Sequence, residues 1–214
     1  MPPAIHIRKE TTADYQTVEE LTRRAFWNLY VPGCTEHYLV HILRSHEDFI
    51  PELDLVAERH GKIIGSILYT KAALIDEAGY EKPILTFGPV CIHPDYQRQG
   101  YGKQLMEYSF DKAAALGYDT IVIFGNPGNY VSRGFKSCQK YRVSLADGSY
   151  PAAMLVKELQ PGALDGRKWV YRQSPAFTFD EAAAQRFDDE LEPWEKKHLP
   201  CQEEFYIHSH AVIV

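Results

Sequence analysis

The residues best suited to chemistry lie between positions 88 and 135. Gln97-Arg98-Gln99-Gly100-Tyr101-Gly102-Lys103 follows a strand ending Val90-Cys91-Ile92 and a His93-Pro94-Asp95 turn, and it opens a helical pattern. Glycines at 100 and 102 let the backbone approach an oxyanion closely, because no Cβ intervenes. The first N–H groups of a helix have no intrahelical acceptor and can converge on phosphate oxygens. The helix dipole and the full charges of Arg98 and Lys103 add to that attraction. The turn is not a nucleoside-triphosphate loop, since no G-x-x-x-x-G-K-[ST] occurs. It is not the dinucleotide fingerprint either, whose third glycine would stand where Leu105 does. Just upstream, Gly88-Pro89 interrupts a strand. Proline has no ladder donor and glycine tolerates bulge geometry, so regular pairing should fail there.

Other constellations carry less. His37 and His41 stand four apart with His46 close behind, but they lack the glutamate of H-E-x-x-H and a third ligand. Surface or packing roles are expected for them, and no metal. His208 and His210 would share one face of a strand, again without partners. Cys91 reads as a small buried strand residue rather than a nucleophile. No G-x-S-x-G elbow supports a hydrolase. Cys34, Cys91, Cys138 and Cys201 are scattered, which points to free thiols.

The elements that position these residues follow from periodicity. A strand over Ala4–Lys9 precedes Thr11-Thr12, which offer caps to a helix through Tyr15, Val18, Leu21 and Ala25. A second helix is expected from Thr35 to about Ser45, with Tyr38, Leu39 and Ile42 on its apolar side. Leu53–Glu58 and Lys62–Thr70 are strand-like and joined at His60-Gly61. Further strands are expected at Lys71–Ile75 and Pro83–Ile92. Gly102–Leu116 reads as a helix whose apolar positions are Leu105, Tyr108, Ala113 and Leu116, stopped by Gly117. Thr120–Gly125 is almost wholly apolar, as a central strand covered on both faces would be. The pattern breaks at Gln160-Pro161-Gly162. Residues 1–159 are therefore read as an α/β core, and 160–214 as an extension packed on it, with a helix over Asp180–Leu191 and a final strand over Glu204–Val214.

Composition narrows the class. Of 214 residues, 45% are hydrophobic and 24% charged, an ordinary globular balance. A net charge of −6 gives nucleic-acid binding no electrostatic support. Asp180 to Glu204 holds nine acidic residues against Arg186, Lys196 and Lys197, which makes either a solvated face or a rim attractive to cations. No apolar run is long enough to span a membrane, and the first ten residues lack the features of a signal peptide. A cytoplasmic protein without a membrane or nucleic-acid partner is expected.

The pattern Q-x-x-G-x-G after a strand ending in His-Pro resembles the Gcn5-related N-acetyltransferase (GNAT) family. Gly125-Asn126-Pro127 and Tyr130-Val131-Ser132-Arg133-Gly134-Phe135 extend the resemblance, since the family commonly places a tyrosine four residues before Gly-Phe. It covers roughly residues 4–158. It implies a mixed, mostly antiparallel sheet flanked by helices and splayed at its central strands, with acetyl-CoA as co-substrate and no metal. It further implies that the pantetheine arm enters the splay and meets the backbone of Val90, Cys91 and Ile92. The Val90 N–H would polarise the thioester, and the Gln97–Lys103 turn would hold the pyrophosphate. Tyr130 would protonate the leaving thiolate. Asn126 would bond the pantetheine or cap its loop.

The acceptor implied is a primary amine on a small molecule, peptide or protein, attacked in a ternary complex. One departure stands out. Thr86 occupies the position of the family's general-base carboxylate, leaving a water chain, His93, Asp76 or Glu77 as alternatives. It also keeps open a non-catalytic acyl-CoA-binding module. The first two helices and the C-terminal part usually shape the acceptor side, and Trp27, Tyr30, Tyr38, Trp169, Tyr171, Phe205 and Tyr206 could line it or belong to the core. Oligomeric state stays open, with a shared C-terminal strand the natural homodimer contact.

Overall fold

The computed structural model describes residues 5–213. In chain order the elements are β1 (His6–Lys9), α1 (Tyr15–Phe26), α2 (Glu36–Leu43), β2 (Leu55–Arg59), β3 (Lys62–Asp76), β4 (Glu81–Ile92), α3 (Tyr101–Ala115), β5 (Thr120–Phe124), α4 (Pro127–Tyr130), β6 (Lys136–Ser137), β7 (Val143–Ser144), β8 (Met154–Glu158), β9 (Trp169–Arg172), α5 (Glu181–Asp189) and α6 (Pro200–His210). Ala4 and Val214, which the sequence places in terminal strands, lie outside the described residues.

The strands form one sheet in the order β1-β2-β3-β4-β5-β8-β6. Every pair along this path is antiparallel except β4 with β5. β3 is continuous where the sequence suggested two strands, because Lys71 turns its side chain outward without interrupting the ladder. The free edge of β3 is filled first by β2, then by an isolated bridge from Phe49 to Thr70, then by β9. The chain beyond Gln160 thus re-enters the sheet through β9 before reaching its two helices.

Helices cover both faces. α3 seats Tyr101, Leu105, Met106, Phe110 and Ala113 on a core that includes Ile67, Tyr69, Leu85 and Phe87. Its phase differs from the one read in sequence: Met106 and Phe110 face inward, whereas Tyr108 and Leu116 are exposed. On the other face, Val18 of α1 and Val40 of α2 close over Val56 and Leu68. The inner side of α2 is His37, Val40 and Leu43, not Tyr38, Leu39 and Ile42. His37 can be buried because Asp188 of α5 lies 3.3 Å from its Nε2 and Cys34 Sγ 3.4 Å from its Nδ1. Burial lowers its pKa to about 4, so the ring is neutral at pH 7.

No C-terminal strand forms among the described residues. Glu204 to His210 belong to α6, which starts with Pro200 at its first position and has the Leu199 N–H bonded to Gln202 Oε1 (3.3 Å). His208 and His210 therefore lie on a helix, and a homodimer contact made by a shared terminal strand loses its strand. α6 runs from the α1–α2 loop to the loop before β8. At its start Gln202 Nε2 donates to Asn28 O (3.1 Å), and at its end the Ala152 N–H donates to Ala211 O (2.8 Å). No helix among the described residues is long and apolar enough to cross a membrane.

Candidate active site

The interruption expected at Gly88-Pro89 is present. Ile67 pairs with Val90 and Tyr69 with Phe87, so Gly88 and Pro89 together oppose Leu68 in a bulge. Beyond it, the His93 N–H donates to Ile64 O (2.8 Å). Antiparallel ladders alternate, so Cys91 also directs its peptide groups toward β3, opposite Ser66, while Val90 and Ile92 direct theirs away. On that side is a gap: among the described residues β4 pairs with β5 only where Leu85 meets Ile121. The far wall is built the same way. The Gly125 N–H donates to Ala153 O (2.9 Å), which turns the peptide groups of Val122 and Phe124 toward the gap.

Cys91 thus departs from expectation. Its backbone serves the β3 ladder, and its thiol is buried 3.3 Å from Ser66 Oγ. The contribution of Phe124 had no sequence signal, because it depends on which edge of β5 is left unpaired.

At the end of this gap the phosphate-type turn is assembled. Arg98 (φ 61°) and Gly100 (φ 86°) are left-handed, and Gly100 caps α3. The first intrahelical bond of α3 runs from the Gln104 N–H to Gly100 O (3.2 Å), so the N–H groups of Tyr101, Gly102 and Lys103 precede the ladder. Tyr101 is fully buried and anchors the start of α3 in the core. Gly102 seats the helix against β4: a Cβ there would lie 3.4 Å from Ile92 Cγ1. Gln97 and Gln99 brace the loop by donating to Ile92 O and Asp95 O, each at 3.0 Å. The exposed Lys103 lies 3.7 Å from Glu107.

Tyr130 ends α4, which Asn126 initiates by accepting the Gly128 N–H at 2.9 Å. Of the two roles open to Asn126, its side chain fills the loop cap. The Tyr130 ring packs against Phe87 and Phe135, with centroids 5.9 and 5.8 Å away. It also lies flat on Gly125, where a Cβ would meet Tyr130 Cε2 at 2.5 Å. Burial, with a smaller contribution from Tyr30, pushes the Tyr130 pKa above the ordinary tyrosine value. The hydroxyl is accordingly a protonated donor throughout the neutral range.

None of the expected base positions offers a free base in the gap. Thr86 is buried, opposite Thr70. His93 Nδ1 accepts the Asp95 N–H (3.3 Å) in the phosphate-type turn. Asp76 and Glu77 stand at the far end of β3, held by Arg167 (2.9 Å) and Lys168 (3.0 Å). Among the described residues no group of three or more His, Cys, Asp or Glu is placed to hold a metal. Of the aromatics left unassigned in sequence, Trp169 and Tyr171 are core, whereas Tyr30 stacks on Phe205 of α6 at 4.3 Å.

Known proteins resemble this chain in sequence and fold. A sequence model of the acetyltransferase (GNAT) family matches residues 23–136, more than half of the chain. YhbS of Escherichia coli K12, described as an uncharacterized N-acetyltransferase, is 29% identical over 161 residues, covering 75% of this chain and 90% of its own. YjhQ of the same strain, described in the same words, is 29% identical over 147 residues, covering 68% and 74%. The crystal structure of E. coli YhbS in complex with CoA superposes with a TM-score of 0.70 at 26% identity, over 83% of this chain and 94% of that one. An acetyl-CoA complex of a Brucella melitensis GNAT acetyltransferase shares the fold, with a TM-score of 0.63 at 24% identity, over 82% and 99%. The mixed α/β fold, with its open, mostly antiparallel sheet flanked by helices, is the one these structures have. With the bulged β4, the glycine turn and a family match spanning most of both, the chain belongs to the acetyltransferase (GNAT) family.

Proposed function

We propose that this protein transfers an acetyl group from acetyl-CoA to a primary amine by direct attack in a ternary complex. The observation that carries the reading is the parting of β4 from β5, with Val90 facing the gap from one wall and Tyr130 packed at the other. The glycine turn suits the cofactor's pyrophosphate, because the N–H groups of residues 101–103 have no intrahelical acceptor and Gly100 and Gly102 carry no side chain. The peptide groups of Val90, Ile92 and Phe124 suit the pantetheine amides. Acetyl-CoA supplies an acyl carbon activated by a thiolate leaving group.

In this reading the Val90 N–H donates to the thioester oxygen as negative charge develops there. Tyr130 Oη gives its proton to the departing sulfur. Residues 1–159 hold the cofactor, and 160–214 close the acceptor side through α5 and α6. The likeness to the YhbS–CoA complex supports the cofactor.

The test is release of CoA thiol from acetyl-CoA against a panel of primary amines, free-amino peptides and aminoglycosides. Amine-dependent release is expected. Tight acetyl-CoA binding with no release on any acceptor would instead identify a binding module. In the same assay Gly125→Ala should cut kcat about tenfold, because the added methyl displaces the Tyr130 ring and small misplacements of a reacting group are costly. Unchanged kcat would remove Tyr130 from the reacting centre.

A further inference from the structure

Building on the acetyl-transfer reading, we infer that Glu36 is the acceptor-side carboxylate, which holds the incoming ammonium group and takes its proton. Glu36 opens α2, close to where the α1–α2 segment meets β4. Cys34, two residues earlier, packs in one cluster with Cys91 of β4, and Tyr30 packs against the same cluster. Tyr30 stands near both groups: burial and then the Glu36 carboxylate raise its pKa, and burial and then Tyr30 raise that of Tyr130.

The carboxylate is half-buried and has no cation. Its bonds run to backbone N–H groups, with Thr35 N donating to Oε2 at 3.1 Å, and no Lys, Arg or His of the described residues forms an ion pair with it. Glu10 and Glu19 are matched by Arg44, Glu58 by Arg8 and Asp188 by Arg23, whereas Asp54, also buried without an ion pair among the described residues, lies against Glu10 rather than near the gap. A carboxylate withdrawn from water without a cation is costly, and a cationic substrate would relieve that cost. Burial also raises its affinity for a proton, as a base acting on an ammonium group requires. It supplies from α2 the carboxylate that Thr86 cannot supply from β4.

An ammonium N–H bond breaks and its proton passes to Glu36. The freed nitrogen pair forms the C–N bond, and the C–S pair leaves on sulfur, which takes the Tyr130 proton. The second proton shed by nitrogen as the amide forms restores Tyr130, and Glu36 releases its own to water. The titratable neighbours Tyr30 and Cys34 do not interfere, since burial pushes Tyr30 up to about 12 and Cys34 higher.

Glu36→Gln keeps an acceptor for the Thr35 N–H and removes the base. With the panel amine turned over fastest, kcat/KM at pH 7 should fall about 10²-fold. The deficit should shrink toward parity as pH approaches the amine's own pKa, where free amine needs no base. Acetyl-CoA affinity by calorimetry and the melting temperature should match wild type, and Glu36→Asp should recover part of the rate. A deficit of equal size at every pH, or no deficit, would overturn the assignment while leaving the acetyl-transfer reading intact. Failure of the wild type on every amine would overturn both.

Discussion

Tyr130→Phe should slow acetyl transfer about a thousandfold at saturating substrates, the middle of the range for loss of a positioned proton donor. That is about 4 kcal/mol of barrier. The variant removes one oxygen and keeps the ring that packs on Phe87, Phe135 and Gly125, so fold and cofactor affinity should be retained. A thiol of ordinary pKa, about 8.5, leaves poorly as a desolvated thiolate, and in a dry cleft the missing proton has no substitute. Burial holds the Tyr130 pKa above the usual tyrosine value, so titration of this group should not limit the rate between pH 6 and 9. The measurement is steady-state CoA release together with acetyl-CoA calorimetry. A variant with near-normal kcat would assign Tyr130 to packing alone.

Asp188→Ala should destabilise the protein by about 3–5 kcal/mol, the usual cost of leaving one member of a buried ion pair alone. Arg23 and Asp188 side chains are 4% and 9% exposed, and Arg23 Nε lies 2.9 Å from Asp188 Oδ1. Arg23 also donates to Glu192 O (2.8 Å) and lies against the rings of Trp27 and Trp194, 4.7 and 4.3 Å from their centroids. Without Asp188 the guanidinium stays enclosed with one carbonyl and two aromatic faces. Urea unfolding measures the loss. Replacing both residues, Arg23→Met with Asp188→Leu, should restore most of it, because neither charge is then stranded. A loss below about 1 kcal/mol, ordinary for exposed pairs, would mean that α5 is only loosely attached.

The bulge in β4 and the glycine turn were legible because they rest on local rules. Gly88-Pro89 breaks a ladder wherever it occurs in a strand, and Gly100 before a helical pattern marks a left-handed cap. The surroundings of α2 were not, because their determinants act across the chain. His37 faces inward only because Asp188 comes to meet it. Nothing near Glu36 in sequence marks it as a carboxylate without a cation. Cys91 was assigned to the gap because alternation along β4 cannot be phased until the partner register is known. Glu204–Val214 was read as a strand, although Pro200 and Gln202 carry the start signals of a helix, which here carries Phe205, Tyr206 and Ile207. These apolar side chains need no sheet. α6 buries none of its residues, and Phe205 instead stacks on Tyr30.

The central claim is that an acyl-CoA threads between β4 and β5, and a crystal structure of this protein with CoA tests it most directly. The expected result has the pyrophosphate on the N–H groups of residues 101–103, the pantetheine along Val90, Ile92 and Phe124, and the sulfur within hydrogen-bonding reach of Tyr130 Oη. CoA bound outside the gap, or a sulfur out of reach of Tyr130, would contradict the account.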